Sequence, residues 1–557
     1  MSTLISRRSF FTLSAAATIA ATLTACGGGP NGGAEADISK IDPNSVKLPL
    51  AEKATLKGLT SFPAGTESEP NNRTIFKRLE ETTNVHIDWK TIQADQWSDK
   101  ITLEMSNANT LPDFVFSANF SDTSLLKYAK QGAIISLEKY IDAFMPKLCA
   151  VFEKAPEYRS MCEDADGHIW ALPWIEQLGY EKKAIQTIGN MPFINREWLD
   201  YLKLNLPTTV DEFEQVLLAF KSHAADLKSR FGIEGDIIPM SCILNDGDQD
   251  PYILINGFGE GYGDPDREKH IAVTDEGKVV CVAQSTGFRK GTEWLHKLYE
   301  QGLIDSEAFT QEWSTYVAKG KSGRYGVCFT WDVANVAKLE GWEPLPALKA
   351  DVVNIIPQTN SFTSGFDRGR CVVTAKATNP ALVCSWLDQM YDPLQSPQNN
   401  WGTYGEGDGF DIFVMGKNAD GGDMLQHAPL GSASPVEVRE AEMVGGPLAI
   451  LDSYYDVYVT RPGDAQYRLN WIADIYTPSM HFKYCYPKVF MNAKDATRIS
   501  DLMPDIMKCI NTAKSNWIMN GINDSDWDKF QQDLEAYHVG EFVDIHQRYL
   551  TDYLDRA

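Results

Sequence analysis

The strongest constraint on the fold is a repeated switch of hydrophobic period in the first third of the chain. Asn71 or Asn72 can cap a helix to about Glu81, with Ile75 and Leu79 spaced for one face. Val85-His86-Ile87-Asp88-Trp89 then alternates as a strand. A second helix is predicted from Trp97 to about Ser106. After Leu111-Pro112 comes a short apolar strand, Asp113-Phe114-Val115-Phe116, and Ser121 or Asp122 caps the next helix. Strands that alternate with helices make a parallel sheet with helical crossovers, so the expected class is α/β. With 557 residues, 43% of them apolar, there is material for two to four domains.

The rest of the chain keeps this grammar. Ile169 to Trp174 is an extended aromatic segment, read as the first crossing between two lobes. Asn195-Arg196-Glu197-Trp198-Leu199-Asp200 opens a helix, Leu206-Pro207 interrupts, and Thr209 with Glu212 forms a capping box. Phe213, Val216, Leu217 and Phe220 then mark an amphipathic helix. Two short strands flank the turn Asp275-Glu276-Gly277-Lys278, and a helix from about Phe288 to Gln301 stops at Gly302. Gly326 to Trp331 reads as a strand, and Asn379-Pro380 starts a helix through Met390. Gly402 to Gly409 is a Gly-rich loop. The last hundred-odd residues read as helices, one of them capped by Ser525.

The N-terminus says where this fold works. Arg7-Arg8 precedes a short apolar run that ends at Leu23-Thr24-Ala25-Cys26, and Gly27 to Gly33 is glycine-rich. These are the parts of an export signal over residues 1–25. The run is shorter than the ~20 residues of a permanent span. The paired arginines resemble a twin-arginine motif, and Leu23 to Cys26 resembles a lipobox, so Cys26 is the expected lipidation site. Residues 26–53 are then a flexible tether that holds a globule at the outer face of a membrane it does not cross. A net charge of −25 argues against nucleic acid as a partner. Ten cysteines include no Cys-x-x-Cys pair. Cys281, Cys328 and Cys371 sit in strand-like apolar runs and are expected to be buried thiols.

Leu111 to Phe116, Arg196 to Asp200, Leu206 to Phe213, Leu298 to Asp305, Tyr404-Gly405-Glu406-Gly407 and Trp527 to Tyr553 together resemble the family-1 extracellular solute-binding proteins of ABC importers. The resemblance spans residues 70 to 553 in the family's order, and the long members are oligosaccharide-type lipoproteins of Gram-positive bacteria. It implies two α/β lobes of the periplasmic-binding-protein kind, joined by hinge crossings around a ligand cleft. The expected division gives 54–174 and 370–400 to the N-terminal lobe, and 175–369 and 401–557 to the C-terminal lobe with its helices. It also implies a monomer that closes on an oligosaccharide and delivers it to the permease subunits. Long members often carry a calcium loop before a segment like Ile238-Pro239-Met240-Ser241. Here Ile233-Glu234-Gly235-Asp236 runs directly into that segment. Asn245 to Asp250 has oxygen ligands without the twelve-residue spacing or closing Glu, so a polar turn is preferred and no metal or other cofactor is expected.

A sugar offers apolar CH faces and many hydroxyls. Its site therefore needs flat aromatic platforms beside fixed carboxylates, amides and guanidiniums. Of 14 Trp, 22 Tyr and 25 Phe, the informative ones lie at strand ends and turns next to polar residues. Trp331 and Asp332 end a strand, where clefts of open α/β sheets form. The first also matches a Trp that lines the cleft in related binding proteins. Trp401, Tyr404 and Glu406 lie in a glycine-rich setting, either facing ligand or forming a packed lid. Trp174 stands at the crossing, either facing ligand or packing there. Arg196 either reads a hydroxyl or pairs with Asp200 on its own helix, the second being preferred. Asn119 and Phe120, then Phe366 and Asp367, complete the candidates, the last two also fitting a surface turn. Replacing Trp331 or Trp401 by Ala is expected to weaken binding by a few kcal/mol if either is a central anchor. No zinc helix, nucleophile turn or phosphate loop appears, and no carboxylate pair stands out, so an enzyme is not expected; the alternatives are a binder of peptides or other small solutes and, less favoured, a cell-surface glycoside hydrolase.

Overall fold

The computed structural model describes residues 42–556 except 43–44, 64–65, 108, 181–182, 186–187, 189–190, 260–268, 351–364, 406–411, 430–438, 440, 442, 464, 477 and 479–485. The export signal, Cys26 and Glu406 lie outside the described residues.

Two sheets organise the chain. In the first, Ala54–Phe62 runs parallel to Val85–Gln93 and to Phe114–Val115, as helical crossovers require. Phe366–Val373 enters antiparallel between Phe114–Val115 and Leu172–Glu176. Leu448–Ile450 closes the edge, parallel to Leu172–Glu176. The second sheet has the order Trp342–Pro344, Met191–Asn195, Tyr325–Thr330, Ile238–Met240. The chain thus leaves the first sheet after Glu176, close to the expected crossing at Trp174. Two boundaries need correction. The division at 369/370 falls inside the strand Phe366–Val373, and Leu448–Ile450 belongs to the first sheet although 401–557 was assigned to the second lobe. Both strands pair with Leu172–Glu176, a long-range constraint invisible to local pattern.

Local chemistry explains most element ends. Thr209 and Glu212 form the reciprocal capping box that opens Val210–Ser222. Ser121 caps Asp122–Lys130, Asn195 caps Arg196–Leu202, and Asn379 caps Pro380–Leu387. Thr286–Glu300 ends before Gly302, whose φ of +63° suits a residue without Cβ. Two expected caps differ. Pro70–Asn72 forms a 3₁₀ turn, and Asn71 donates its side-chain amide to the Ile87 carbonyl, so Thr74–Thr83 starts without a side-chain cap. Asn523, not Ser525, caps Asp524–Ala536, because its box partner is Asp526.

Each sheet has its own core. Phe114, Phe116, Leu172 and Trp386 lie in that of the first. Phe213, Leu217, Trp294 and Leu298 lie in that of the second, which the helices Ala493–Asn520, Asp524–Ala536 and Val539–Arg556 extend with Ile506, Trp517, Phe530 and Phe542. A third cluster gathers where the chain crosses, around Met191, Phe193, Leu448 and Ile450. Each large apolar side chain so buried contributes ~1.5–3 kcal/mol. The eight described cysteines are free thiols, and Cys281, Cys328 and Cys371 are buried as expected. No helix among the described residues is long and apolar enough to cross a membrane.

Candidate functional site

The crossing strand Leu172–Glu176 places Trp174 beside Asp367, its antiparallel partner, and beside Leu448, its parallel one. Trp174 is half-buried. Its indole N–H donates to Asn400 Oδ1 at 3.4 Å, and the Arg370 guanidinium lies 5.4 Å from its ring centroid. Asn400, at the end of the helix Gln395–Trp401, is the hub of a polar network. Its amide donates to Glu176 Oε1 at 2.5 Å, and its carbonyl and side-chain oxygens accept from Arg439 at 2.9 and 2.8 Å. Arg370 pairs with Asp367 at 3.2 Å, yet its buried Nε–H is not aimed at that carboxylate and has no hydrogen-bond acceptor. Burial lowers the Arg370 pKa and the neighbouring Arg439 lowers it further, while Asp367 opposes them. Tyr455 Oη is likewise buried without a hydrogen-bond partner, and burial and then Glu176 raise its pKa. Two unmet donors beside a fixed network of guanidinium, amide and carboxylate are suited to the hydroxyls of a neutral polar ligand.

Asn119 and Phe120 approach the same strand. Phe120 N–H donates to the Gly369 carbonyl at 3.0 Å, and a Cβ on Gly369 would stand 1.9 Å from the Phe120 carbonyl oxygen, so only glycine fits there. Asn119 is exposed, with φ +50°. Phe120 is 7% exposed and packs on Tyr128, ring centroids 5.0 Å apart. Phe366 is 1% exposed and packs on Tyr158, so it belongs to the core and offers no ligand surface. Asp367 is partly exposed, and its carboxylate accepts from the Gly369 N–H at 2.9 Å.

In the second sheet, Tyr325–Thr330 delivers Trp331 and Asp332 at its end, both half-buried. Asp332 accepts from Ala334 N–H at 2.8 Å and caps the turn that follows. Trp331 lies under the Arg468 guanidinium, 4.0 Å from its ring centroid. Trp174, Trp331 and Tyr404 all pack on the crossing cluster, which also contains Trp401. Trp401 is 7% exposed, edge-on to Phe413 and His427 at 6.2 and 5.2 Å; this is the packed alternative, a correction to its candidacy as a contact. Tyr404 is half-buried beneath Arg78. Arg196 stands apart, paired with Asp200 at 2.8 Å and Glu343 at 3.1 Å. These carboxylates raise its pKa, so the preferred pairing with its own helix is what the structure contains.

Sequence reasoning missed Glu176, Arg370, Asn400 and Arg439. They are ordinary polar residues far apart in the chain, brought together by strand register and by one helix end. Arg370 alone carried a local sign, an arginine that leads directly into the apolar run Cys371-Val372-Val373.

In the Asn245–Asp250 run the Asp250 carboxylate is already engaged within the protein. Lys514 Nζ and Asn245 N–H donate to Asp250 Oδ2 at 2.8 and 2.7 Å, and Tyr252 N–H donates to Oδ1 at 2.9 Å. Lys514 and Asp250 are both 4% exposed, so a built-in ammonium already supplies the positive charge. Among the described residues no His, Cys, Asp and Glu group could hold a metal.

No family model matches the chain. It is 39% identical to the fructooligosaccharide ABC transporter substrate-binding protein FusA of Streptococcus pneumoniae over 510 residues, 91% of this chain and 92% of that one. A solved structure of FusA in complex with kestose superposes with a TM-score of 0.83 at 38% identity, covering 90% of this chain and all of that one. Lipoprotein LipO of Bacillus subtilis is 24% identical over 260 residues, 46% of this chain and 47% of its own. The full-length similarity to FusA establishes the periplasmic-binding-protein-like fold with two α/β lobes, and the chain belongs to the substrate-binding proteins of ABC transporters.

Proposed function

We propose that this protein captures a neutral oligosaccharide of the fructooligosaccharide class between its lobes and hands it to a membrane permease for import. The observation that carries the reading is the full-length similarity to FusA, whose structures hold kestose and fructo-nystose. The network of Trp174, Glu176, Asp367, Arg370, Asn400 and Arg439 supports it, because an indole face flanked by fixed donors and acceptors suits a sugar ring. Ligand that bridges both walls shifts the lobes toward a closed population. Asn119, Trp331 and Tyr404 are the remaining contacts in this reading.

Acylation at Cys26 holds the protein near its permease, with a tether shorter than the expected 26–53, because Val46, Leu48 and Leu50 already pack on the first core. It acts as a monomer and without catalysis. It needs no calcium, since Lys514 already engages Asp250. Calorimetry with kestose and longer fructans tests the ligand, with saturable binding at one site per chain expected. A parallel assay of sugar release tests the absence of turnover. Binding of peptides with no response to any glycan, or release of free sugar, overturns the reading. Mass spectrometry of the membrane-extracted protein checks for a diacylated Cys26 at the N-terminus.

A further inference from the structure

Two half-buried aromatics on the crossing cluster share an arrangement that the polar network does not explain. Arg78 lies 4.3 Å from the Tyr404 ring centroid and donates from Nη2 to the Tyr404 carbonyl at 2.8 Å. Arg468 repeats the pattern. It lies 4.0 Å from the Trp331 ring centroid and donates from Nη1 to the Trp331 carbonyl. A planar guanidinium that holds the carbonyl and the ring of one residue restrains its backbone and its side-chain rotation together.

Arg468 reaches further. Its Nη2 donates to the carbonyl of Ile188, on the segment that crosses from Leu172–Glu176 to Met191–Asn195. It is 1% exposed and is set by the short helix Gln466–Trp471, which runs directly into a π-helical turn, Ile472–Tyr476. Such turns recur at functional sites. Burying a guanidinium costs more than burying an apolar side chain of the same volume. Beneath a merely packed tryptophan, Leu or Met would do. Beneath a half-buried ring that must keep one face in a fixed orientation, the two-point grip has a purpose.

We propose that Arg468 is a positioning residue for the ligand: it fixes the half-buried Trp331 indole for stacking on a sugar ring and ties it to the interlobe crossing, so that stacking is felt at the hinge. The proposal rests on the glycan-binding reading above.

Arg468→Lys tests it in the full-length protein. The variant keeps a cation but loses the plane that stacks on the indole, and its single Nζ cannot reproduce the forked grip on two carbonyls. Kestose affinity measured by calorimetry is expected to fall at least tenfold, with the melting temperature within a few degrees of wild type. The part of the kestose-induced tryptophan fluorescence change that Trp331→Ala abolishes is also lost in Arg468→Lys, a signature that a purely structural arginine would not give. Wild-type affinity in a folded Arg468→Lys overturns the proposal. Should that variant not fold, Trp331→Ala decides: a tenfold or greater loss upholds the platform, and unchanged affinity removes it. Wild-type protein that binds no neutral glycan removes the ligand reading and the proposal with it. Wild-type binding that Arg468→Lys retains removes the proposal alone.

Discussion

Trp331 and Trp401 look alike in sequence: each follows a regular segment and precedes small or polar residues. The structure separates them. Trp331 stays half-buried at the end of a strand, one face against Arg468. Trp401 ends a helix whose residues Ser396 to Trp401 are all buried, and its indole closes against Phe413 and His427. Glycine after a tryptophan therefore says nothing about the ring's exposure. What decides is whether another element lies over it, here the hairpin Phe413–Lys417 and Asp423–His427. The same residue type stays half-open at a strand end in one place and closes a core in the other.

The sharpest way to break this comparison is to truncate both rings. Trp401→Ala leaves a cavity in the crossing cluster and is expected to cost about 3–5 kcal/mol of folding stability, read from denaturant unfolding. Its remaining folded fraction should bind kestose within about threefold of wild type, a difference of about 0.7 kcal/mol. Trp331→Ala should do the reverse, losing about 2 kcal/mol of binding with a smaller fall in stability. If both variants lose affinity equally and stability equally, the two tryptophans have been wrongly distinguished.

Acid titration sharpens the Trp401 side. His427 packs against Trp401 and Phe413, and burial drives its pKa from 6.5 down to about 3, with a contact from Thr460 opposing. The unfolded chain takes up a proton below 6.5 that the folded one refuses. Stability is therefore lost as pH falls from about 6.5 toward 3, at up to about 1.4 kcal/mol per pH unit. Asp388 acts in the opposite sense. Burial raises its pKa from 3.8 to about 6 against the Leu148 and Lys147 N–H groups, so acid stabilises the fold between those values. The measurement is thus a difference: between pH 6 and 5, His427→Gln should lose about 1 kcal/mol less than wild type. Parallel curves for the two proteins would place His427 in contact with solvent.

The comparison also explains what was legible in the chain. Thr209 with Glu212, Asn195 and Asn379 announce helix starts because a cap acts within three residues of itself. The end of Tyr325–Thr330 was visible for a similar reason, since an apolar run stops there and Asp332 caps the next turn. Leu448–Ile450 was not visible: three apolar residues become a strand only because Leu172–Glu176 offers a free edge. The polar network escaped because Glu176, Arg370, Asn400 and Arg439 meet through register, not spacing. Arg468 escaped because arginine is seldom fully buried, and only the structure shows the ring and carbonyls that hold it.

Arg196 gives the smallest expected effect and the cleanest control. It lies on the helix that opens the second lobe, its side chain 43% exposed and shared between Asp200 and Glu343. Solvent screens both pairs, so Arg196→Ala should cost less than about 1 kcal/mol of stability, and less still at high salt. Unlike Arg370, Arg439 and Arg468, it touches no aromatic of the site and no residue of the Asn400 network. Kestose affinity should therefore be unchanged within error. A tenfold loss on Arg196→Ala would mean that the ligand extends across the outer edge of the second sheet, and the binding surface would have to be redrawn around the Trp342–Pro344 strand.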